Sequence, residues 1–383
     1  MHELPPPTSR KYLIFVNEFF GEWQTARGGY GFLARHIIPS ALDIPLSDLT
    51  VCLGQSRSYF KCETRFSSEG IKLIKLPKCR LLAARIVNSY DILITIEATV
   101  DYLFSLKSKL KKKILFWIQD PRPSKDWEVI NSVTLAKEKS YYNKKTYELV
   151  NYCYRKGLVY FATQARFLIP KAIELYGLNQ NISIPFLPNP LEAQTKSFIK
   201  DNNIIFLGRL DSVKRGWLFC EIAKILPKYH FYVLGSSSND AEKQNNAILN
   251  NYANLPNLHF LGHLNGKDKE EQLRKAKILV NTSIHEALPI SFLEAFSYGV
   301  TVVSNQNPDN LVSQYGRYTG ESTGNGWNDV EKFVTEIDFL MTNEKIRVDL
   351  ATKAKQYLVE NHSIEHFRHQ LSSIIADMQS SST

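Results

Sequence analysis

Long uncharged apolar runs are missing from this chain. No segment of its 383 residues approaches the ~20 consecutive apolar residues that a membrane-spanning helix needs. The start, MHELPPPTSRKYLIFVNEFF, holds one short apolar run, YLIFV, too short for the core of a signal peptide. Cysteine is scarce and odd in number: Cys52, Cys62, Cys79, Cys153 and Cys220 are scattered and form no C-x-x-C pair. That argues against a disulfide framework or a zinc site and fits reduced, buried thiols in a cytoplasmic protein. The histidines, His36, His230, His259, His263, His285, His362, His366 and His369 among them, show no metal-ligand spacing. No helix-turn-helix, zinc-finger or RNA-recognition signature is present, so nucleic acid is not an expected partner.

What is there is an ordinary globular composition, 44% hydrophobic and 22% charged, with aromatics rich at 12%. The length exceeds one typical core and points to two domains. Charge is unevenly shared. Residues 1–190 carry 27 Lys+Arg against 16 Asp+Glu, and the remainder 20 against 22. The basic half suits an anionic partner, such as a phospholipid surface or a phosphorylated lipid carrier. It equally suits plain solubility, with KSKLKKK as a solvated helix end.

Short apolar runs alternate with helical spacing. After a flexible leader, 1–9, strands are expected at 11–17, 49–54, 71–76, 91–97, 112–118 and 157–163. Such runs with helices between them read as parallel strands buried on both faces. ISIPFLPNP, with three prolines in nine residues, is the expected linker. The alternation restarts at 202–210, 229–235, 258–262, 277–283 and TVVS, and three helical patterns close the chain. The fold class is α/β, with two doubly wound Rossmann-like domains. The expected domains are 10–188 and 189–362, with a last helix at 363–383 crossing back to the first. The two domains are expected to face across a cleft, and the default ligand site is this cleft between the two sheets, outside the carboxyl ends of their strands.

The stretch HEALPISFLEAFSYGVTVVS places two glutamates, Glu286 and Glu294, in mostly apolar surroundings. Pro289 suits a helix start and Gly299 a left-handed stop. Glu286 then lies in the loop before the helix, and Glu294 about one and a half turns into it. The backbone N–H groups of 288–291 form an anion site. An anion held there would have Glu286 beside one end, with Glu294 within reach of hydroxyls. That geometry suits a phosphate flanked by sugars.

EALPISFLEAFSYG resembles the E-G-F-G/P-x-x-x-x-E-A-x-A-x-G signature of retaining glycosyltransferases of the two-Rossmann GT-B fold, glycosyltransferase family 4 in particular. The usual Gly after the first Glu is Ala287 here. IIFLGRLDSVKRGWLF resembles the family's v-G-R-l-x-x-x-K-G segment, LHFLGHL its nucleobase-lining segment, and RGGYGFLARHI its glycine pair after the first strand. The resemblance covers nearly the whole chain. It implies that Glu294 binds a nucleotide ribose and Glu286 the donor sugar, while Arg209 and Lys214 meet the diphosphate. Gly28, Gly29, Gly208, Gly262, His263, Leu264, Leu288, Pro289 and Ile290 would complete the donor site with Ala287. Where many members carry a His, this chain has Gln119, followed by Asp120 as a candidate proton acceptor or partner of a cation. Gln119, Glu97, Arg122 and Trp127 are acceptor-side candidates.

The resemblance implies sugar transfer from a nucleotide-diphosphate sugar to a glycan or lipid-linked acceptor, with retention of configuration. A D-x-D motif is absent, so no metal and no cofactor are expected. A hexose, surface polysaccharide or lipopolysaccharide assembly, and a cytoplasmic enzyme peripheral to the inner face of a membrane complete the expectation. The alternatives are a phosphorylase, a sugar-nucleotide epimerase, or a non-catalytic scaffold subunit of the same fold.

Overall fold

The computed structural model describes residues 10–136, 143–237 and 242–380; the leader expected at 1–9 lies outside them. The chain divides into two compact units. Unit 1 comprises Met1–Pro121, Tyr142–Pro190 and Ile364–Thr383, and unit 2 comprises Arg122–Tyr141 and Leu191–Ser363. Residues 122–136 thus group with unit 2, although they fall within the stretch read from sequence as the first domain.

Unit 1 is built on strands β1 (Tyr12–Phe15), β2 (Leu49–Gln55), β3 (Glu63–Phe66), β4 (Lys72–Leu76), β5 (Ile92–Ile96), β6 (Ile114–Ile118) and β7 (Val159–Thr163), in the order β3-β4-β2-β1-β5-β6-β7. Every residue of β1, β5 and β6 is buried. This is why these strands read as unbroken apolar runs rather than as alternation. The antiparallel edge strand β3 was not expected. Its sequence, ETRF, is largely exposed, and its identity comes from pairing Glu63–Phe66 with Lys75–Lys72 of β4.

The proline-rich stretch leaves unit 1 along the end of β7, where Thr163 N–H donates to Pro185 O at 2.9 Å and Leu187 N–H to Thr163 O at 2.8 Å. Trp117 Nε1 donates to Leu187 O at 2.8 Å. The final helix, Ile364–Ser380, packs Phe367 on Trp117 with ring centroids 5.7 Å apart, and Arg368 donates to Ala41 O at 2.7 Å.

Unit 2 has strands β8 (Asn203–Leu207), β9 (His230–Leu234), β10 (Leu258–Gly262), β11 (Ala276–Asn281), β12 (Thr301–Ser304) and β13 (Arg317–Tyr318), all parallel, in the order β10-β9-β8-β11-β12-β13. The order reverses between β8 and β11, the switch point at which such sheets bind ligands. The core of the unit is aromatic, with Trp217, Phe219, Phe206, Phe231 and Phe333 buried together and Ile130 and Val133 added from the 122–136 segment. Gly235 lies so close to the Gly208 carbonyl that a Cβ there would overlap it. The ends of β8 and β9 therefore meet through bare backbone.

Candidate functional site

The site in unit 2 begins where β8 and β11 end. After β8 comes Arg209, then Asp211, whose wholly buried carboxylate serves two neighbours. Its Oδ1 accepts Lys214 N–H at 2.9 Å, closing a turn, and its Oδ2 lies 3.2 Å from Arg209 Nη2. The turn aims the Lys214 ammonium at Glu286, with which it forms an ion pair and hydrogen bond. Glu286 also accepts from Ser283 Oγ at 2.6 Å and Asn281 Nδ2 at 2.9 Å. Burial pushes its carboxyl up, but Lys214 and these two hydrogen bonds outweigh burial and hold it below its ordinary value. Glu286 is thus ionised at neutral pH and fixed in one orientation.

The helix Ile290–Ser297 starts as its sequence indicates, with Pro289 as the extended N-cap and Gly299 at φ +66° just past its end. The N–H groups of Ile290 and Ser291 precede its first backbone bond, Phe292 N–H to Pro289 O at 3.0 Å, and form the positive end of the helix dipole. Ala287 and Leu288 are buried in the approach. Glu294 is also buried and pairs with Lys269 Nζ at 2.5 Å, from the helix Gly266–Lys275. Gly262, His263 and Leu264 follow β10. Gly262 takes the left-handed conformation, φ +68°, and its carbonyl accepts Gly235 N–H at 2.8 Å. Gly208 donates its N–H to Leu234 O at 3.1 Å.

Sequence reasoning missed Asp211, Lys269, Asn281 and Ser283, and it missed Arg215. In the G-R-l-x-x-x-K-G pattern a glycine follows the lysine; here Arg215 stands there, and its φ of +48° is one that glycine adopts freely. The side chain is 0% exposed. It donates to Thr282 O at 2.8 Å, Ser283 O at 3.4 Å, Ser322 Oγ at 2.8 Å and Gly324 O at 3.1 Å. Burial pulls its guanidinium down to about 10, with Asp329 acting in the opposite direction, so it stays charged. Arg215 therefore holds the strand end that carries Asn281 and Ser283, the supports of Glu286.

In unit 1 the candidates are engaged differently. Gly28 and Gly31 donate their N–H groups to Glu18, at 3.1 and 2.8 Å. Gly28, expected in the donor site, thus spends its N–H on a carboxylate of the same unit, whereas a Cβ on Gly29 would meet open space. Glu97 sits at φ +54°, a strained position for a residue with a side chain. Its Oε2 accepts Gln119 N–H at 2.7 Å and Asp120 N–H at 2.9 Å, and its Oε1 accepts the Tyr176 hydroxyl. Burial pushes its carboxyl up to about 7, against the pull of those three donors.

Gln119 is 2% exposed. Its side-chain amide exchanges hydrogen bonds with Asn189 at 3.0 and 3.1 Å, and its main-chain carbonyl accepts Gln164 Nε2 at 2.6 Å. Glu97 and Gln119 are thus internal braces of the β6 end, not open contact groups. Asp120 is half-buried beside them. Arg122 and Trp127 group with unit 2. There the guanidinium lies 5.3 Å from the indole centroid, and Trp127 packs against the core of that unit.

Residues 190–378 match the family described as Glycosyl transferases group 1. A curated relative, Glycosyltransferase 1 domain-containing protein 1 of Xenopus tropicalis, is 25% identical over 132 residues, 34% of this chain and 37% of that protein's length. Among solved structures, HepE of Anabaena in complex with UDP superposes with a TM-score of 0.72 at 11% identity, over 96% of this chain and all of that one. HepE with UDP-glucose gives 0.70 at 12% identity, over 97% of this chain and all of that one. Sucrose-phosphate synthase of Thermosynechococcus elongatus gives 0.72 at 11% identity, over 97% of this chain and all of that one. Residues 190–378 belong to the glycosyl transferases group 1 family, and the chain has the GT-B fold.

Proposed function

We propose that the protein transfers a sugar from a nucleoside-diphosphate sugar to a glycan or lipid-linked acceptor, and that unit 2 holds the donor. The observation that carries this reading is the trio of Lys214, Glu286 and the start of the helix Ile290–Ser297, gathered beyond β8 and β11. A cation and a helix N-terminus suit a diphosphate; an oriented carboxylate beside them suits sugar hydroxyls. Glu294, one turn further along, suits a ribose diol. The structures of HepE with UDP and with UDP-glucose support a uridine nucleotide as the first donor family to try.

In the proposed reaction the bond between the anomeric carbon and the leaving phosphate oxygen breaks. Lys214, Arg209 and the helix N-terminus stabilise the charge that develops on the diphosphate, which is the largest contribution expected in such a site. The acceptor oxygen attacks from the same face, and its proton passes to the leaving phosphate, so configuration is retained. No metal takes part in this scheme. Unit 1 carries the acceptor. A hexose as the transferred group, surface-glycan assembly as the setting, and work at an anionic membrane face are further parts of the proposal.

The test is nucleoside-diphosphate release from a panel of UDP-, GDP-, ADP- and dTDP-sugars, with the anomeric product assigned by NMR. One donor family turning over with retention supports the reading. Epimer formation without acceptor, phosphate-dependent cleavage, or no turnover by a protein that still binds a glycan-assembly partner would each overturn it in favour of the corresponding alternative.

A further inference from the structure

The carboxyl ends of β1, β2 and β5 in unit 1 line an open pocket of about 480 Å³, with Asn17, Gln55, Lys78, Arg80, Tyr102 and one acid, Asp101, in its lining. Beside it three large apolar side chains stand in solvent: Tyr59, Phe60 and Leu81, 58%, 68% and 67% exposed. Tyr59 and Phe60 pack edge to face, with centroids 4.8 Å apart. Two backbone bonds join their loop to the cavity wall, Lys78 N–H to Ser58 O at 3.1 Å and Cys79 N–H to Tyr59 O at 2.8 Å. Leu81 lies in the first turn of the adjoining helix Arg80–Asn88. Exposed single apolar residues are common, but two packed aromatics on an ordered loop, with an exposed leucine on the adjoining helix, are not.

The charges around this cluster have one dominant sign. Residues 55–81 hold seven Lys+Arg and two Asp+Glu. One of the two acids, Glu69, is tied to Arg35 at 2.8 Å, and the other, Glu63, accepts from Ser56 Oγ at 2.6 Å. Arg57, Lys61, Lys78 and Arg80 are all exposed. Aromatic side chains ringed by cations match the boundary of an anionic bilayer, where rings enter the headgroup layer and cations meet phosphates. Among the described residues no helix is long and apolar enough to cross a membrane, so attachment here would be to one face.

We propose that the loop bearing Tyr59 and Phe60, with Leu81, docks unit 1 on an anionic phospholipid bilayer, and that Lys78 and Arg80 take lipid phosphates at the mouth of the cavity. This rests on the membrane part of the proposed function and is independent of its donor part.

The experiment is flotation of the full chain with vesicles of phosphatidylcholine containing roughly one-third phosphatidylglycerol, and with pure phosphatidylcholine, at low and high salt. Wild type is expected to float with the anionic vesicles only, and less at high salt. Tyr59→Ser with Phe60→Ser should lower partitioning by at least about tenfold, and Lys78→Gln and Arg80→Gln by about fivefold each. All four positions are solvent-facing, so unchanged melting temperatures serve as the folding control. Wild-type flotation that survives both pairs of substitutions would overturn this patch while leaving membrane attachment standing. No flotation of wild type at low salt would overturn both. Equal flotation with neutral vesicles would overturn the role given to the cations. A UDP-induced rise in melting temperature reports separately on the donor reading.

Discussion

The two units engage their candidate-site glutamates in different ways. In unit 1, Glu18 and Glu97 are consumed by the backbone of their own unit, Gly28 and Gly31 in one case, Gln119 and Asp120 in the other. In unit 2, Glu286 and Glu294 face lysines, and Asp211 faces an arginine. A carboxylate that accepts neighbouring N–H groups shapes a loop and has little left to offer a ligand. A carboxylate balanced by a flexible lysine can exchange that partner for a ligand phosphate or hydroxyl. The same strand-end geometry therefore gives a braced scaffold in unit 1 and an exchangeable polar site in unit 2.

Lys214→Ala should break the unit 2 side of this contrast most severely. It removes the cation from Glu286 and from the proposed diphosphate, so turnover should fall about a hundredfold to a thousandfold, read as nucleoside-diphosphate release. Turnover within a factor of two of wild type would remove Lys214 from the account.

Arg215→Met should cost about 3 kcal/mol of unfolding free energy, because the carbonyls of Thr282, Ser283 and Gly324 lose a buried donor. Denaturant unfolding measures it. A loss no larger than a surface substitution gives would mean the guanidinium braces nothing.

Glu97→Gln sharpens the unit 1 side through pH. Burial raises the folded carboxyl from 4.5 to about 7, so the folded state keeps this proton to higher pH than the unfolded chain does. Its contribution to stability is fully present below 4.5 and is lost as pH rises through about 7. That displacement is worth about 3 kcal/mol at most. Wild type should therefore lose stability relative to Glu97→Gln across this window; parallel curves would show that the carboxyl titrates normally. Glu294→Gln is the mildest change. It keeps the shape, weakens the acceptor for a ribose diol, and should raise the nucleotide dissociation constant about tenfold, or about 1.4 kcal/mol.

Much of unit 2 was legible because its signals are local. The apolar runs of β8 and β11, Pro289 before the helix and Gly299 after it each state their role within a few residues, and the spacing of Glu286 and Glu294 follows from them. What escaped were partners brought together by the tertiary fold. Lys269 sits in KDKEEQLRK, which reads as a solvated helix face, and only the packing of that helix places its ammonium on Glu294. Arg215 looks like one more surface cation until its backbone conformation turns it inward.

Gln119 was legible as a replacement for histidine but not as a member of a buried amide cluster with Gln164 and Asn189, because its partners lie 45 and 70 residues away. The glycine pair at Gly28 and Gly29 was read into the donor site; nothing in its sequence indicated that Glu18 would occupy the Gly28 N–H.

The most direct measurement is thermal unfolding with UDP, GDP, ADP and dTDP, each in large excess, for wild type and for Glu294→Gln. A ligand at about a hundred times its dissociation constant should stabilise the folded protein by roughly 2.7 kcal/mol. Wild type should show a clear rise with one nucleotide family, and Glu294→Gln a smaller rise with the same nucleotide. No rise with any nucleotide, or an undiminished rise in the variant, would contradict the claim that the strand ends of unit 2 hold a nucleotide-sugar donor.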